Sequence, residues 1–217
     1  MQILSAVKIF YEVGDKQILD DISLSIEKGD CISLIGSSGS GKSSFLKMCS
    51  YLISPSSGTM NYNDTNFSDY EPITLRQELS YCTQMPYLFG TTVKENLEFP
   101  FIIKKNPFDI EKVAQLLEAF QLDRHLLEKE VAILSGGEKQ RIALIRNLIH
   151  NPKILLLDEV TSALDESSSL VIEKYVKELN KTGTTILWVT HNMEQSTRIF
   201  NKRVQFENGK LVNLEVL

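Results

Sequence analysis

The run Gly36-Ser37-Ser38-Gly39-Ser40-Gly41-Lys42-Ser43, followed by Ser44, is spaced to hold a polyphosphate. Its glycines let backbone N–H groups wrap phosphate oxygens, and the helix that must follow directs its positive end at them. Lys42 reaches the terminal phosphates and the Ser43 hydroxyl is a ligand for Mg²⁺. A ligand-free Gly/Ser-rich loop is the bland alternative, but nothing requires such a loop to agree at four positions between a strand and a helix. Four further elements carry polar chemistry downstream: Gln84, Ser135-Gly136-Gly137-Glu138, Asp158-Glu159 and His191. Ser135 and Glu138 have the spacing of a capping box at a helix start. The two glycines inside that box cost roughly 1 kcal/mol each against alanine, so the cap alone does not account for them. A phosphate approaching a bare helix N-terminus does. Taken singly, an Asp-Glu pair is most often a solvated loop, and a lone histidine at a strand end is a polar surface residue.

The elements that must position these groups follow from hydrophobic patterning. Cys31–Ile35 is an apolar run leading straight into the loop, and Phe45, Leu46, Cys49 and Leu52 recur at helical spacing after it, so strand, loop and helix come in the order a phosphate loop requires. Ile154–Leu157 and Thr185–Val189 are continuous apolar runs, as in parallel strands covered on both faces. Asp158 stands at the tip of the first, on the side where open sheets usually bind ligands; His191 follows the second. Between them, residues 166–179 read as a helix with Leu170, Val171, Tyr175 and Leu179 as its apolar side. Residues 1–30 alternate apolar and polar positions (Ile22, Leu24, Ile26) around the turns Gly14-Asp15 and Lys28-Gly29-Asp30, which suits antiparallel strands. Ile110, Val113, Leu116, Leu117 and Phe120 form a helical stripe, and a second helix runs from Gly136 to about His150, where Asn151-Pro152 ends it. These two helices suggest a helical lobe inserted into the sheet domain. Asn208-Gly209 between two apolar stretches is a tight-hairpin signal.

A length of 217 residues fits one domain. The net charge of -5 and pI near 5.3 argue against a nucleic-acid partner, which would favour a basic face. Cys31, Cys49 and Cys82 are an odd number scattered through apolar stretches, as expected of reduced, core-filling thiols in a cytoplasmic protein. The N-terminus lacks the basic lead and apolar core of a signal peptide. No window approaches the ~20 apolar residues that span a bilayer.

A Leu134-Ser-Gly-Gly-Glu138 run upstream of an apolar strand ending in Asp158-Glu159 resembles the ATP-binding cassette (ABC) ATPases of membrane transporters, and the resemblance extends from about Val7 to Leu217. It implies an α/β P-loop NTPase with a mostly parallel sheet core, an N-terminal antiparallel β subdomain and an inserted helical subdomain at about residues 86–150 of a single domain, 1–217. It further implies ATP and Mg²⁺ as cofactors. By the resemblance, Asp158 holds Mg²⁺, Glu159 orients and deprotonates the attacking water, His191 hydrogen-bonds the γ-phosphate, and Gln84 contacts metal and water. Thr161–Asp165 matches the family's D-loop, and Tyr11 lies where the family stacks an aromatic on adenine, with Phe10 beside it and core packing open to either ring. Ser135, Gly136, Gly137 and Glu138 would meet the ATP held by the Walker A loop of a second copy, giving a head-to-tail homodimer. His125 and His150 match no motif position.

The implied role is the ATPase subunit, a translocase, of a transporter whose membrane-spanning permease is a separate chain, so that the protein sits peripherally on the inner face of the cell membrane. Tyr81–Pro100, with Leu134–Leu148 and Leu187–His191, is similar to the ATP-binding subunits of bacterial iron-export systems. Tyr87, Leu88, Phe89, Phe99, Phe101, Ile102 and Ile103 then either line a docking surface for the permease or fill the core of the helical lobe. The competing classes are an ABC ATPase driving a lipoprotein-extracting or other non-transport membrane complex, and a mechanochemical ATPase acting on DNA or ribosomes; the second carries long coiled-coil insertions or tandem cassettes that this sequence lacks.

Overall fold

The computed structural model describes the backbone of residues 1–217 and every side chain except that of Met193. Two long strands open it, β1 (Gln2–Val13) and β2 (Lys16–Glu27), turning at Gly14-Asp15 into an antiparallel pair. Ile22, Leu24 and Ile26 of β2 are all buried, as their alternation requires. β3 (Cys31–Ile35) enters the glycine-rich loop, which α1 (Lys42–Cys49) follows. The chain then returns as β4 (Ser57–Tyr62) and β5 (Thr65–Asn66), which extend the first sheet to the order β2-β1-β4-β5. Leu52 was expected on α1, but the helix ends at Cys49 with Ser50 as its C-cap, and Leu52 is exposed.

A second sheet collects the rest of the strands. After α2 (Pro72–Glu78) and β6 (Leu79–Cys82) come four helices, broken by one strand: α3 (Val93–Ile103), α4 (Ile110–Ala119), α5 (Gly136–Leu148), then β7 (Ile154–Asp158) and α6 (Glu166–Lys181). β8 (Thr185–Val189), α7 (Met193–Arg198), β9 (Lys202–Glu207) and β10 (Lys210–Val216) complete the chain. The strand order is β10-β9-β3-β8-β7-β6, with β9-β3, β3-β8 and β8-β7 parallel and β10-β9 antiparallel. Every residue of β7 and β8 is buried, which matches their unbroken apolar runs. Asn208 and Gly209 both take the left-handed conformation (φ 49° and 80°) that a tight turn between β9 and β10 demands.

The chain divides into two compact units. The first comprises residues 1–81, 152–159 and 179–217, and the second residues 82–151 and 160–178. Within the first, both sheets share one core built on α1, where Phe45 meets Phe206 with ring centroids 5.4 Å apart. Within the second, Val113, Leu116, Leu117 and Phe120 are buried as their spacing predicts. Asn151 adopts a left-handed backbone (φ 50°) ahead of Pro152 and closes the segment begun by α5. On α6 the expected apolar face is displaced. Leu170 is exposed, Val171, Tyr175 and Leu179 are half-buried, and the buried positions are Ser168, Ile172, Glu173 and Val176. Two polar residues therefore occupy the inner stripe, which a count of apolar residues cannot reveal.

All three thiols are buried, and burial pushes those of Cys31 and Cys82 up to about 12. Phe45→Ala would empty the centre of the shared core. We expect a loss of about 3–5 kcal/mol, read as a shifted urea midpoint at an unchanged slope.

Candidate functional site

The glycine-rich loop is pressed against its neighbours by geometry that only glycine allows. Gly36 has φ 141°, and a Cβ there would lie 2.1 Å from the carbonyl oxygen of Phe206 on β9. Gly41, the N-cap of α1, has φ 102°, and its Cβ would lie 2.6 Å from a methyl of Leu19 on β2. Ser37, Ser38 and Gly39 form the exposed crest, while Ser40 and Lys42 are buried. The Lys42 ammonium donates to the carbonyls of Gly36 (2.9 Å) and Ser37 (2.7 Å) and to Ser40 Oγ (3.3 Å). Burial holds its pKa below the ordinary lysine value, and the carboxylates of Glu159 and Asp158 oppose that shift. A desolvated cation inside a cradle of backbone, at the start of a helix, is a donor set suited to a polyphosphate.

Asp158 ends β7 with both carboxylate oxygens engaged. Oδ1 accepts from Ser43 Oγ at 2.9 Å and Oδ2 from the Tyr81 phenol at 2.8 Å. Glu159 leaves the strand in the left-handed region (φ 49°), a conformation costing a non-glycine residue roughly 1–2 kcal/mol. Its N–H donates to the Val189 carbonyl at 3.1 Å, which ties this kink to the end of β8. Its Oε1 lies 2.9 Å from Nε2 of His191, whose ring is half exposed. The first unit therefore brings Gly36–Ser44, Asp158, Glu159 and His191 together at the carboxyl ends of β3, β7 and β8. Tyr11 belongs to the same unit. It is half-buried and pairs with Leu19, the residue that packs on Gly41, whereas Phe10 pairs with Ser57 on the other side of β1.

Among the described residues no group of three His, Cys, Asp or Glu side chains could hold a metal by itself. One carboxylate and one hydroxyl instead suit Mg²⁺, which keeps waters and takes further oxygens from a substrate's phosphates. The residues present thus fit a magnesium-bound nucleotide.

The second unit holds Gln84 and Ser135–Glu138. Gln84 Nε2 is 3.5 Å from Ser162 Oγ. Ser135 caps α5 in a complete capping box, its N–H and hydroxyl each 2.8 Å from Glu138 Oε2 and its Oγ accepting from the Glu138 N–H at 3.2 Å. Those bonds from Ser135 hold the Glu138 carboxyl below its usual range. Among the described residues, nothing outside the adjoining residues and α5's own backbone lies within 4 Å of the place a Cβ on Gly136 would take. Asp165 is bonded by Ser167 and by the N–H and hydroxyl of Ser168, which hold it well below the usual carboxylate range.

The apolar set at residues 87–103 separates. Tyr87, Phe99, Ile102 and Ile103 are exposed, Leu88 and Phe89 are half-buried, and Phe101 is core, edge-on to Phe108 at 5.4 Å.

The family model for ABC transporters matches residues 19–162. The chain belongs to the ABC transporter family. As an ABC ATPase it is an ATP-binding subunit of a transporter and couples ATP hydrolysis to transport. It is 45% identical over 197 residues, 89% of this chain and 86% of the relative, to the "Probable iron export ATP-binding protein FetA" of Escherichia coli K12. It is 37% identical over 209 residues to the methionine import ATP-binding protein MetN 2 of Bacillus licheniformis, covering 92% of this chain and 60% of that one. Its fold superposes with a TM-score of 0.87, at 27% identity and 99% coverage of both chains, on the dimeric post-hydrolysis structure of the ATP-binding cassette MJ0796 bound to ADP and Pi.

Tyr81 is the site residue of this ABC ATPase that sequence reasoning missed. The signal was a phenol near the end of β6, the strand beside β7, three positions before Gln84. Its hydroxyl fixes the rotation of the Asp158 carboxylate, leaving Oδ1 turned toward Ser43. Because a hydrogen bond to a charged group contributes about 1.5–3 kcal/mol, Tyr81→Phe should raise the Mg²⁺ concentration for half-maximal ATPase by about tenfold with little change in melting temperature. A magnesium titration at fixed ATP checks this, and an unmoved midpoint would leave the phenol a packing role only.

Proposed function

We propose that this chain, a single ABC ATPase domain over residues 1–217 with a helical subdomain at about 86–150, powers a metal-ion exporter of the iron type. The observation that carries the ATPase chemistry is the cluster at the strand ends, with Ser43 on Asp158 and Glu159 on His191. In this reading the backbone of residues 36–43 cradles the phosphates, Lys42 exchanges loop carbonyls for the terminal phosphate oxygens, and Tyr11 stacks on adenine. Ser43, Asp158 and Gln84 hold Mg²⁺, which when bound neutralises charge on the phosphate oxygens. Glu159 orients a water and takes its proton while His191 holds the γ-phosphate. Their 2.9 Å contact sets the two side chains side by side.

The open space at Gly136 supports a site completed from outside the protomer. Among the described residues no neighbour would obstruct a Cβ there, so close packing does not explain the glycine. A second copy in head-to-tail arrangement explains it, with Ser135 and Gly136 against the phosphates held by the partner's loop; the MJ0796 relative is described as dimeric. Export of iron rests on the likeness to FetA, and methionine import on the weaker likeness to MetN 2. No helix among the described residues is long and apolar enough to cross a membrane, and a separate permease docked on the exposed Tyr87, Phe99 and Ile102 would supply the pathway and keep the ATPase on the inner face of the membrane. Co-reconstituted with that permease in vesicles, the ATPase should move ferrous iron and ignore methionine; the reverse preference would refute the export reading.

Glu159→Gln should keep ATP affinity and lower turnover at least about 100-fold, since it removes a general base without changing shape. ATP-dependent dimers should accumulate in size-exclusion chromatography. Lys42→Ala and Ser135→Arg should each be inactive alone and regain ATPase activity when mixed, because both lesions then fall in one of the two shared sites. Full activity of an isolated monomer would refute the shared site.

A further inference from the structure

The loop that carries His191 leads into a short helix whose described buried side chains are polar. α7 has only six residues, too few to be stable without tertiary support. Among its described side chains, those of Gln195 and Ser196 are buried. At its start, Asn192 caps the Gln195 N–H (3.0 Å), while Thr190 Oγ1 donates to Gln195 Oε1 and accepts from the Asn192 N–H (3.1 Å). These bonds close the turn Thr190-His191-Asn192 on both sides of the histidine.

Among the described side chains, α7 is bonded to the sheet through a row of side chains crossing four strands. Trp188 on β8, Ser33 on β3, Arg203 on β9 and Glu215 on β10 are successive register partners, so they share one face. Ser196 drops onto that row. Its Oγ is 2.9 Å from Ser33 Oγ and accepts from Arg203 Nε at 3.0 Å. Arg203 Nη1 donates to Glu215 at 3.2 Å, and its Nη2 is buried without an acceptor among the described residues. A surface ion pair would count for little here. Arg203, however, is 14% exposed against 49% for Glu215, so the guanidinium is the desolvated end and has few other partners to turn to. Neutralising the outer carboxylate therefore loosens the inner cation, and with it Ser196 and α7.

We propose that Arg203, secured by Glu215, is a positioning residue for His191, acting through Ser196 and α7 to fix the turn that presents the histidine. The proposal rests on His191 serving in hydrolysis, and its test separates the two ideas. Glu215→Gln, whose altered atom lies at the exposed end of the row, should leave the fold and the affinity for ADP within about twofold of wild type. Hydrogen exchange of the amides of residues 192–198 should quicken about three- to tenfold, and kcat should fall by a similar factor, the size expected for coupled neighbours. Ser196→Ala should reproduce both effects from the other side of the guanidinium. Unchanged exchange and turnover in both variants, beside a slow His191→Ala, would overturn the positioning role alone. Exchange that quickens equally through β3 and β8 would reassign the row to general stability and overturn it too. Wild-type turnover in His191→Ala would overturn the reading of His191, and this proposal with it.

Discussion

Gly36 can carry no side chain, because the backbone carbonyl of Phe206 occupies the place a Cβ would take. That exclusion sets the closest approach between the phosphate loop and β9, and much of the site depends on it. With the loop seated, α1 starts at Lys42, capped by Gly41, and buries Phe45 against Phe206 in the shared core. Ser43, on the first turn of α1, then reaches Asp158 at the carboxyl end of β7. A bulkier residue at 36 would displace the backbone rather than a flexible chain end, so the disturbance would pass into the helix and the carboxylate together.

The second determinant is the way β7 ends. A buried strand delivers Asp158, and the next residue turns sharply out of it through a left-handed backbone secured to Val189. Adjacent carboxylates thereby receive different surroundings. Asp158 is tied down by a serine and a tyrosine and is suited to hold a cation in place. Glu159 is left against an imidazole and is suited to proton transfer. The strain is small against the burial of four consecutive apolar side chains of β7, Ile154 to Leu157, which explains how the kink persists.

Much of this was legible from the sequence, for physical reasons. Parallel strands buried on both faces leave continuous apolar runs, so β3, β7 and β8 stood out. A tight turn with left-handed backbone favours Asn-Gly, and Pro152 disfavours continuing a helix, so the C-terminal hairpin and the end of the α5 segment were marked as well. The failures were of another kind. On α6 the inner stripe contains Ser168 and Glu173, polar residues that hydrophobic counting assigns to solvent. Leu52 continued the period of α1 past the helix's real end. Phe101 was indistinguishable from its exposed neighbours Ile102 and Ile103, because three apolar residues in succession point around a helix rather than to one side. Tyr81 was hidden because its role depends on register between strands far apart in the chain.

The Asn208-Gly209 turn backs the phosphate loop directly, Gly209 donating to the Ser40 carbonyl at 3.2 Å and accepting from Asp20 at 2.9 Å. Chain order gives this contact a meaning in time. The loop leaves the ribosome early, and the strand and turn that wall it in are made near the end of the domain. Until they arrive, Gly36 lacks the Phe206 carbonyl beside it and Ser40 lacks the Gly209 N–H. The walled cradle is therefore finished only once the β9–β10 hairpin has been synthesised.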